Sequence, residues 1–142
     1  MSLHDLKEAA SVDIPITPPS LNVFEMSFSP DGSIAFAAAE QHQASHLFLI
    51  KDKGRIQQVI AEEARYPSMS PDGQWLAYSR RSGGVWNLWL RRMNSVDDRR
   101  IIHANCNDVS PSWEADSRTL LFASDCGCAF GLTALYRQRV LP

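Results

Sequence analysis

Short apolar runs separated by turn-forming residues recur along the chain at a regular interval. Phe28-Ser29-Pro30-Asp31-Gly32 returns as Met69-Ser70-Pro71-Asp72-Gly73, 41 residues further on. Pro67-Ser68-Met69-Ser70-Pro71-Asp72 has a looser copy in Pro111-Ser112-Trp113-Glu114-Ala115-Asp116, offset by 44. After each turn comes an apolar stretch: Ile34-Ala35-Phe36, Leu76-Ala77-Tyr78 and Leu120-Leu121-Phe122. Later in each copy Leu47-Phe48-Leu49, Leu88-Trp89-Leu90 and Leu135-Tyr136-Arg137 form a second matched set. Three anchors repeated in one order define an internal repeat, which sets the fold before any single element does.

The middle copy predicts four strands. Tyr66–Ser70 is reversed by Pro71-Asp72-Gly73, where Pro presets φ and Asp and Gly tolerate the left-handed conformations that follow. Gln74–Arg80 is the second strand, and Ser82-Gly83-Gly84 turns it into Val85–Arg92, rich in Val, Trp and Leu. Arg99–Ala104 completes the set as a charged outer edge. The first copy predicts strands at Val23–Phe28, Ser33–Ala39, Ser45–Lys51 and Arg55–Ala61. The third predicts Ser110–Glu114, Arg118–Ser124 and Leu132–Val140, without a fourth strand. At the other end, Val12–Thr17 has the alternation of a strand and no repeat to belong to, although Pro15, Pro18 and Pro19 weaken it and a flexible leader is the alternative.

A repeat of about 40–45 residues holding four strands is the signature of a β-propeller blade. The expected architecture is therefore all-β, with four-stranded antiparallel blades, three per chain. A leader at 1–21 precedes blades near 22–62, 63–106 and 107–142. Phe48, Trp89 and Tyr136, matched between copies, are expected to pack one blade against the next.

Ser29-Pro30-Asp31-Gly32 and Ser70-Pro71-Asp72-Gly73, each leading into an apolar-aromatic strand, resemble the Pro-Asp type of repeat in TolB-like propellers, as does Pro111-Ser112-Trp113 leading to Ser124-Asp125. The resemblance covers roughly residues 22–140 and is specific for the blade. It leaves activity open, since such blades also serve as gating domains of prolyl-oligopeptidase-like enzymes, in sugar lyases and in sensor domains. In the third copy Glu114-Ala115-Asp116-Ser117 departs from the pattern, so a less regular turn is expected. TolB-like propellers commonly have six blades, which implies either a longer propeller or two chains of three blades meeting as a homodimer. The dimer is the favoured expectation, with Val12–Thr17 filling the partner's unfinished third blade.

Composition narrows the function classes. The 142 residues are 44% hydrophobic and carry a net charge of −2, which argues against disorder and against a nucleic-acid partner. No run approaches the roughly 18 apolar residues of a membrane span. Asp5, Lys7, Glu8 and Asp13 occupy the stretch where an export signal would be apolar, and the compartment stays open. Cys106, Cys126 and Cys128 are an odd number, read as reduced thiols rather than as a disulfide framework or a metal site.

Catalytic signatures are missing: no Gly-x-Ser-x-Gly elbow, phosphate loop, dinucleotide fingerprint or His-Glu-x-x-His. His42 and His46 fall around a hairpin loop rather than on one helix face. Asp31, Asp72 and Asp116 come one per repeat at equivalent turns, so they read as turn residues and not as a catalytic or calcium set. No cofactor, metal or enzyme activity is expected. The loops Glu62–Tyr66 and Asn105–Asp108 join one blade to the next, at the expected mouth of an axial channel, so Glu63, Arg65, Tyr66, Asn107 and Asp108 are the candidate ligand- or partner-binding residues. The expected role is a non-catalytic scaffold for a protein or peptide. The alternatives are the accessory propeller of a hydrolase or lyase, and a ligand-sensing domain.

Overall fold

The computed structural model describes residues 13–51, 54–101, 105–128 and 131–142. It holds three antiparallel sheets in chain order. The first comprises β1 (Leu21–Phe28), β2 (Ile34–Glu40), β3 (His46–Lys51) and β4 (Arg55–Ile60). The second comprises β5 (Ala64–Met69), β6 (Trp75–Ser82), β7 (Val85–Arg92) and β8 (Asp98–Arg100). The third comprises β9 (Asp108–Trp113), β10 (Thr119–Ser124) and β11 (Ala134–Arg139). Within each, consecutive strands are neighbours, so β1, β5 and β9 are inner edges and β4, β8 and β11 outer edges.

The repeated turns form as their residues require. Gly32 and Gly73 take φ of 88° and 73°, which glycine adopts at no steric cost. Their N–H groups donate to the carbonyls of Ser29 and Ser70. The third turn is as regular as the second, contrary to expectation. Ser117 stands in the glycine's place with φ 57°, and its N–H donates to the Glu114 carbonyl. Its hydroxyl also accepts from the Asp72 N–H at 3.0 Å, so the turns of neighbouring sheets are tied together.

The aspartates hold these turns. Asp31 accepts from the Ser33 N–H at 2.8 Å, Asp72 from the Gln74 N–H at 3.0 Å, and Asp116 from the N–H groups of Arg118 and Thr119. The Ser33 N–H holds the Asp31 carboxyl below the usual range, and the Arg118 N–H with the Thr119 hydroxyl does the same for Asp116.

Two clusters form the core between sheets. Ala35, Ala37, Leu47, Leu49 and Ile60 of the first sheet meet Ala64, Met69, Leu76 and Tyr78 of the second, with Trp89 packed alongside. Ala77, Leu88 and Leu90 of the second meet Leu120 and Phe122 of the third, with Trp113 and Tyr136 alongside. Trp89 and Tyr136 thus pack between sheets. Phe48 differs, for it stacks on Phe36 with centroids 5.4 Å apart in a third cluster on the far face of the first sheet. That face meets no other sheet among the described residues.

Residues 13–20 form no strand. Val12, the first residue of the expected closing strand, lies outside the described residues, as does Ile102 of the fourth strand of the middle copy. Cys106 and Cys126 are joined in a disulfide, with Cα atoms 5.3 Å apart, which corrects the reading of all three cysteines as free thiols. Only pairing in the fold reveals this, because β9 and β10 bring together loops that are 20 residues apart in sequence.

Tyr78 is fully buried, and its hydroxyl makes no hydrogen bond of good geometry among the described residues, although the Asp98 carboxylate lies close enough to interact with it. Burial, with the nearby Asp98 charge, pushes its phenol well above the usual range. Phe36 and Phe122 hold the equivalent register positions in the other sheets. Tyr78→Phe is expected to be neutral or to stabilise by about 1–2 kcal/mol, because a buried donor without a well-formed hydrogen bond carries its desolvation cost. Urea unfolding of the two proteins measures this, and a loss of stability would show that the hydroxyl is satisfied.

Candidate site on the inner strands

Each inner strand is interrupted by a bulge. In β1 the register shifts between Val23 and Glu25, leaving Phe24 as the extra residue. In β5 the shift falls between Arg65 and Ser68, so Tyr66 and Pro67 stand opposite Tyr78. In β9 the shift leaves Ser110 and Pro111 opposite Phe122. Tyr66 and Ser110 both take φ of 57°, a conformation that non-glycine residues hold only where the surroundings fix it. Bulges re-aim side chains, and here they do so along adjoining inner strands, since β5 lies against both β1 and β9.

Arg65 and Glu25 join the first two inner strands. Arg65 Nε donates to both Glu25 carboxylate oxygens at 3.1 and 3.0 Å, and Nη2 donates to Oε2 at 2.6 Å. Glu25 Oε1 also accepts from the Tyr66 N–H at 2.7 Å, so one carboxylate fixes both the guanidinium and the bulge. This pairing raises the Arg65 pKa further. The guanidinium lies 4.3 Å from the centroid of the Phe24 ring and 5.0 Å from that of Tyr66, within cation–π range of both. Phe24 is exposed, while Arg65 and Glu25 are part-buried. The result is a held, amphipathic patch with a solvent-facing aromatic ring and a pre-oriented guanidinium.

The candidates named from the sequence fall into two groups. Arg65 and Tyr66 lie in this patch, inside β5 rather than in a loop. Glu63, Asn107 and Asp108 instead hold the connections between sheets. Glu63 pairs with Arg81 at 3.5 Å, and its carbonyl accepts from the Arg81 N–H. Asn107 donates to the Asp125 carboxylate through its N–H and its Nδ2, at 2.8 and 2.9 Å, and its Oδ1 accepts from the Trp86 N–H. Those donations hold the Asp125 carboxyl below its usual range. Asp108 is fully buried, and its carbonyl accepts from the Ser79 hydroxyl, so its side chain has no surface to offer a ligand.

Phe24 and Glu25 were not singled out from the sequence. The signal was present in the repeat, since they stand 41 residues before Arg65 and Tyr66. Among the described residues no group of three or more His, Cys, Asp or Glu is placed to hold a metal ion.

No family model matches the chain, and no curated protein does. Solved structures do. A TolB-type protein of Agrobacterium tumefaciens superposes with a TM-score of 0.73 at 21% identity, over 84% of this chain and 43% of that one. TolB of Acinetobacter baumannii gives 0.72 at 18% identity, over 87% and 31%. The chain has the TolB-like β-propeller fold. The β-propeller domain of the trilobed protease of Pyrococcus furiosus, described as having an open velcro topology, gives 0.65 at 17% identity, over 87% and 41%. The chain therefore spans less than half the length of each of these proteins, and the TolB-like likeness carries the fold alone.

Proposed function

We propose that this TolB-like propeller unit is a non-catalytic scaffold that recognises a peptide or protein segment on the inner-strand patch of Phe24, Arg65 and Tyr66. The observation that carries the reading is Arg65, held by Glu25 and stacked on an exposed Phe24. Arg and aromatic side chains dominate binding hot spots, and a guanidinium already fixed by its own carboxylate loses little conformational freedom when a ligand arrives. The pair is nearly charge-neutral, which favours a mixed polar and aromatic segment over a highly charged one.

The test is selection of a displayed peptide library against the immobilised chain. Selected peptides are expected to lose at least tenfold in affinity for Arg65→Ala/Tyr66→Ala, while Glu63→Ala changes binding little. Peptides that bind the double variant as well as the parent would remove the patch from the proposal. A second reading, the accessory propeller of a hydrolase, draws support from the likeness to the Pyrococcus furiosus protease domain. It predicts a different result, with no selected peptide sensitive to Arg65.

A further inference from the structure

Near the start of each inner strand the three sheets share one register, and the first sheet departs from the other two. In the second sheet Glu63 and Arg81 stand opposite each other, and their side chains pair at 3.5 Å. In the third sheet Asn107 and Asp125 hold the same place, with their side chains meeting at 2.9 Å. In the first sheet the place falls to Asn22 and Ala39, and an alanine methyl has nothing to offer a polar neighbour. Where the other sheets are filled by a side-chain pair, the first has a cavity of about 460 Å³ between the start of β1 and the hairpin that joins β2 to β3.

The lining of this cavity is one-sided in charge. Phe24 and Asn22 line it together with Glu40, Gln41, His42 and Gln43, and it receives no lysine or arginine. Glu40, exposed at the end of β2, is its one carboxylate, and that carboxylate makes no ion pair or hydrogen bond with a described residue. The backbone there is fixed, because the Glu40 carbonyl accepts from the Gln43 N–H at 3.0 Å. Arg65 stacks on Phe24 but does not line the cavity, and its charge is already matched by Glu25. An uncompensated carboxylate thus shares a cavity with an exposed aromatic ring.

A cation on an apolar stem suits that combination, with the stem along the ring and the charged head at the carboxylate. We infer that the peptide segment recognised at the Phe24, Arg65 and Tyr66 patch carries a lysine or arginine whose side chain enters this cavity and pairs with Glu40. The inference rests on the peptide reading and adds a charge requirement to it. One basic residue in a mixed polar and aromatic segment meets both halves of the surface, the nearly neutral Arg65–Glu25 pair and the acidic cavity beside it. The volume falls within the usual range of ligand pockets, enough for a long side chain and the backbone next to it.

Displayed peptides selected on the parent chain and sensitive to Arg65→Ala/Tyr66→Ala are expected to share one Lys or Arg position. Synthetic copies with norleucine at that position keep an apolar stem and lose the charge. They should bind the parent about tenfold more weakly but Glu40→Gln only about twofold more weakly, the loss of an exposed ion pair and a cation–π contact against the loss of the contact alone. Glu40→Gln alters an exposed side chain and should keep the parent's β circular dichroism and melting temperature. Peptides that need Arg65 and Tyr66 but share no basic residue overturn this inference and leave the peptide reading intact, as does a norleucine loss equal on the parent and on Glu40→Gln. Peptides indifferent to Arg65→Ala/Tyr66→Ala overturn both.

Discussion

Leu47→Ala and Leu88→Ala will each lower the unfolding free energy by about 2–5 kcal/mol, while Leu135→Ala, at the same position of the repeat, will change it by less than about 0.5 kcal/mol. The three leucines hold equivalent places in the third strand of their sheets, opposite Ala37, Ser79 and Ala123 respectively. They differ in what lies beyond the side chain. Leu47 faces Ala64, Leu76 and Tyr78 of the second sheet, and Leu88 faces Leu120 and Phe122 of the third. Truncation there removes buried methyl groups and leaves a space that two rigid sheets do not easily collapse into. Around Leu135 there is solvent, and the shortened side chain leaves no cavity. Tryptophan fluorescence during urea unfolding suits the comparison because there are four tryptophans. Equal losses at all three positions would mean that Leu135 is covered within the single chain, and so that the third sheet has a neighbour of its own.

The same repeat explains what the amino-acid pattern could and could not announce. Turn chemistry is local, so Pro30-Asp31-Gly32 and Pro71-Asp72-Gly73 marked their hairpins directly, and the strands between them followed from apolar runs. Even Ser117, outside that pattern, adopts the glycine conformation because the pairing of β9 with β10 and the bond to Asp72 fix it. The bulges were not legible. A register shift inside an inner strand depends on the strand beside it, so Arg65 and Tyr66 read as loop residues when they belong to β5. Asn107 and Asp108 misled for a related reason, since polar residues between strands look solvated until the hairpin carrying Asp125 and the strand carrying Ser79 close over them. Phe48 shows the opposite case. Its match to Trp89 and Tyr136 predicted an inter-sheet contact, whereas the structure stacks it on Phe36 of its own sheet, on a face that no other sheet meets within the described residues.

Reducing the Cys106–Cys126 disulfide will lower the unfolding free energy by about 3 kcal/mol, the loss expected when a cross-link closing a loop of roughly twenty residues is removed from the unfolded chain. The loop that it closes contains β9, its turn and all of β10, so the bond ties together the two ends of the hairpin that packs the third sheet onto the second. Native geometry at this end does not rest on the disulfide alone. Asn107 and Asp125 are joined by three further hydrogen bonds, and the Tyr136 hydroxyl donates to the Cys126 carbonyl at 2.7 Å. The reduced protein should therefore keep its β circular dichroism and lose stability without losing its fold, and Cys106→Ala/Cys126→Ala should match it. Cys128 is the free cysteine, so one thiol per chain should react under denaturing, non-reducing conditions and three after reduction. Three reactive thiols before reduction would show that the cross-link does not form. With one thiol confirmed, a double-alanine variant as stable as the parent would mean that the hydrogen bonds of Asn107 and Asp125 already hold the hairpin ends together in the unfolded ensemble.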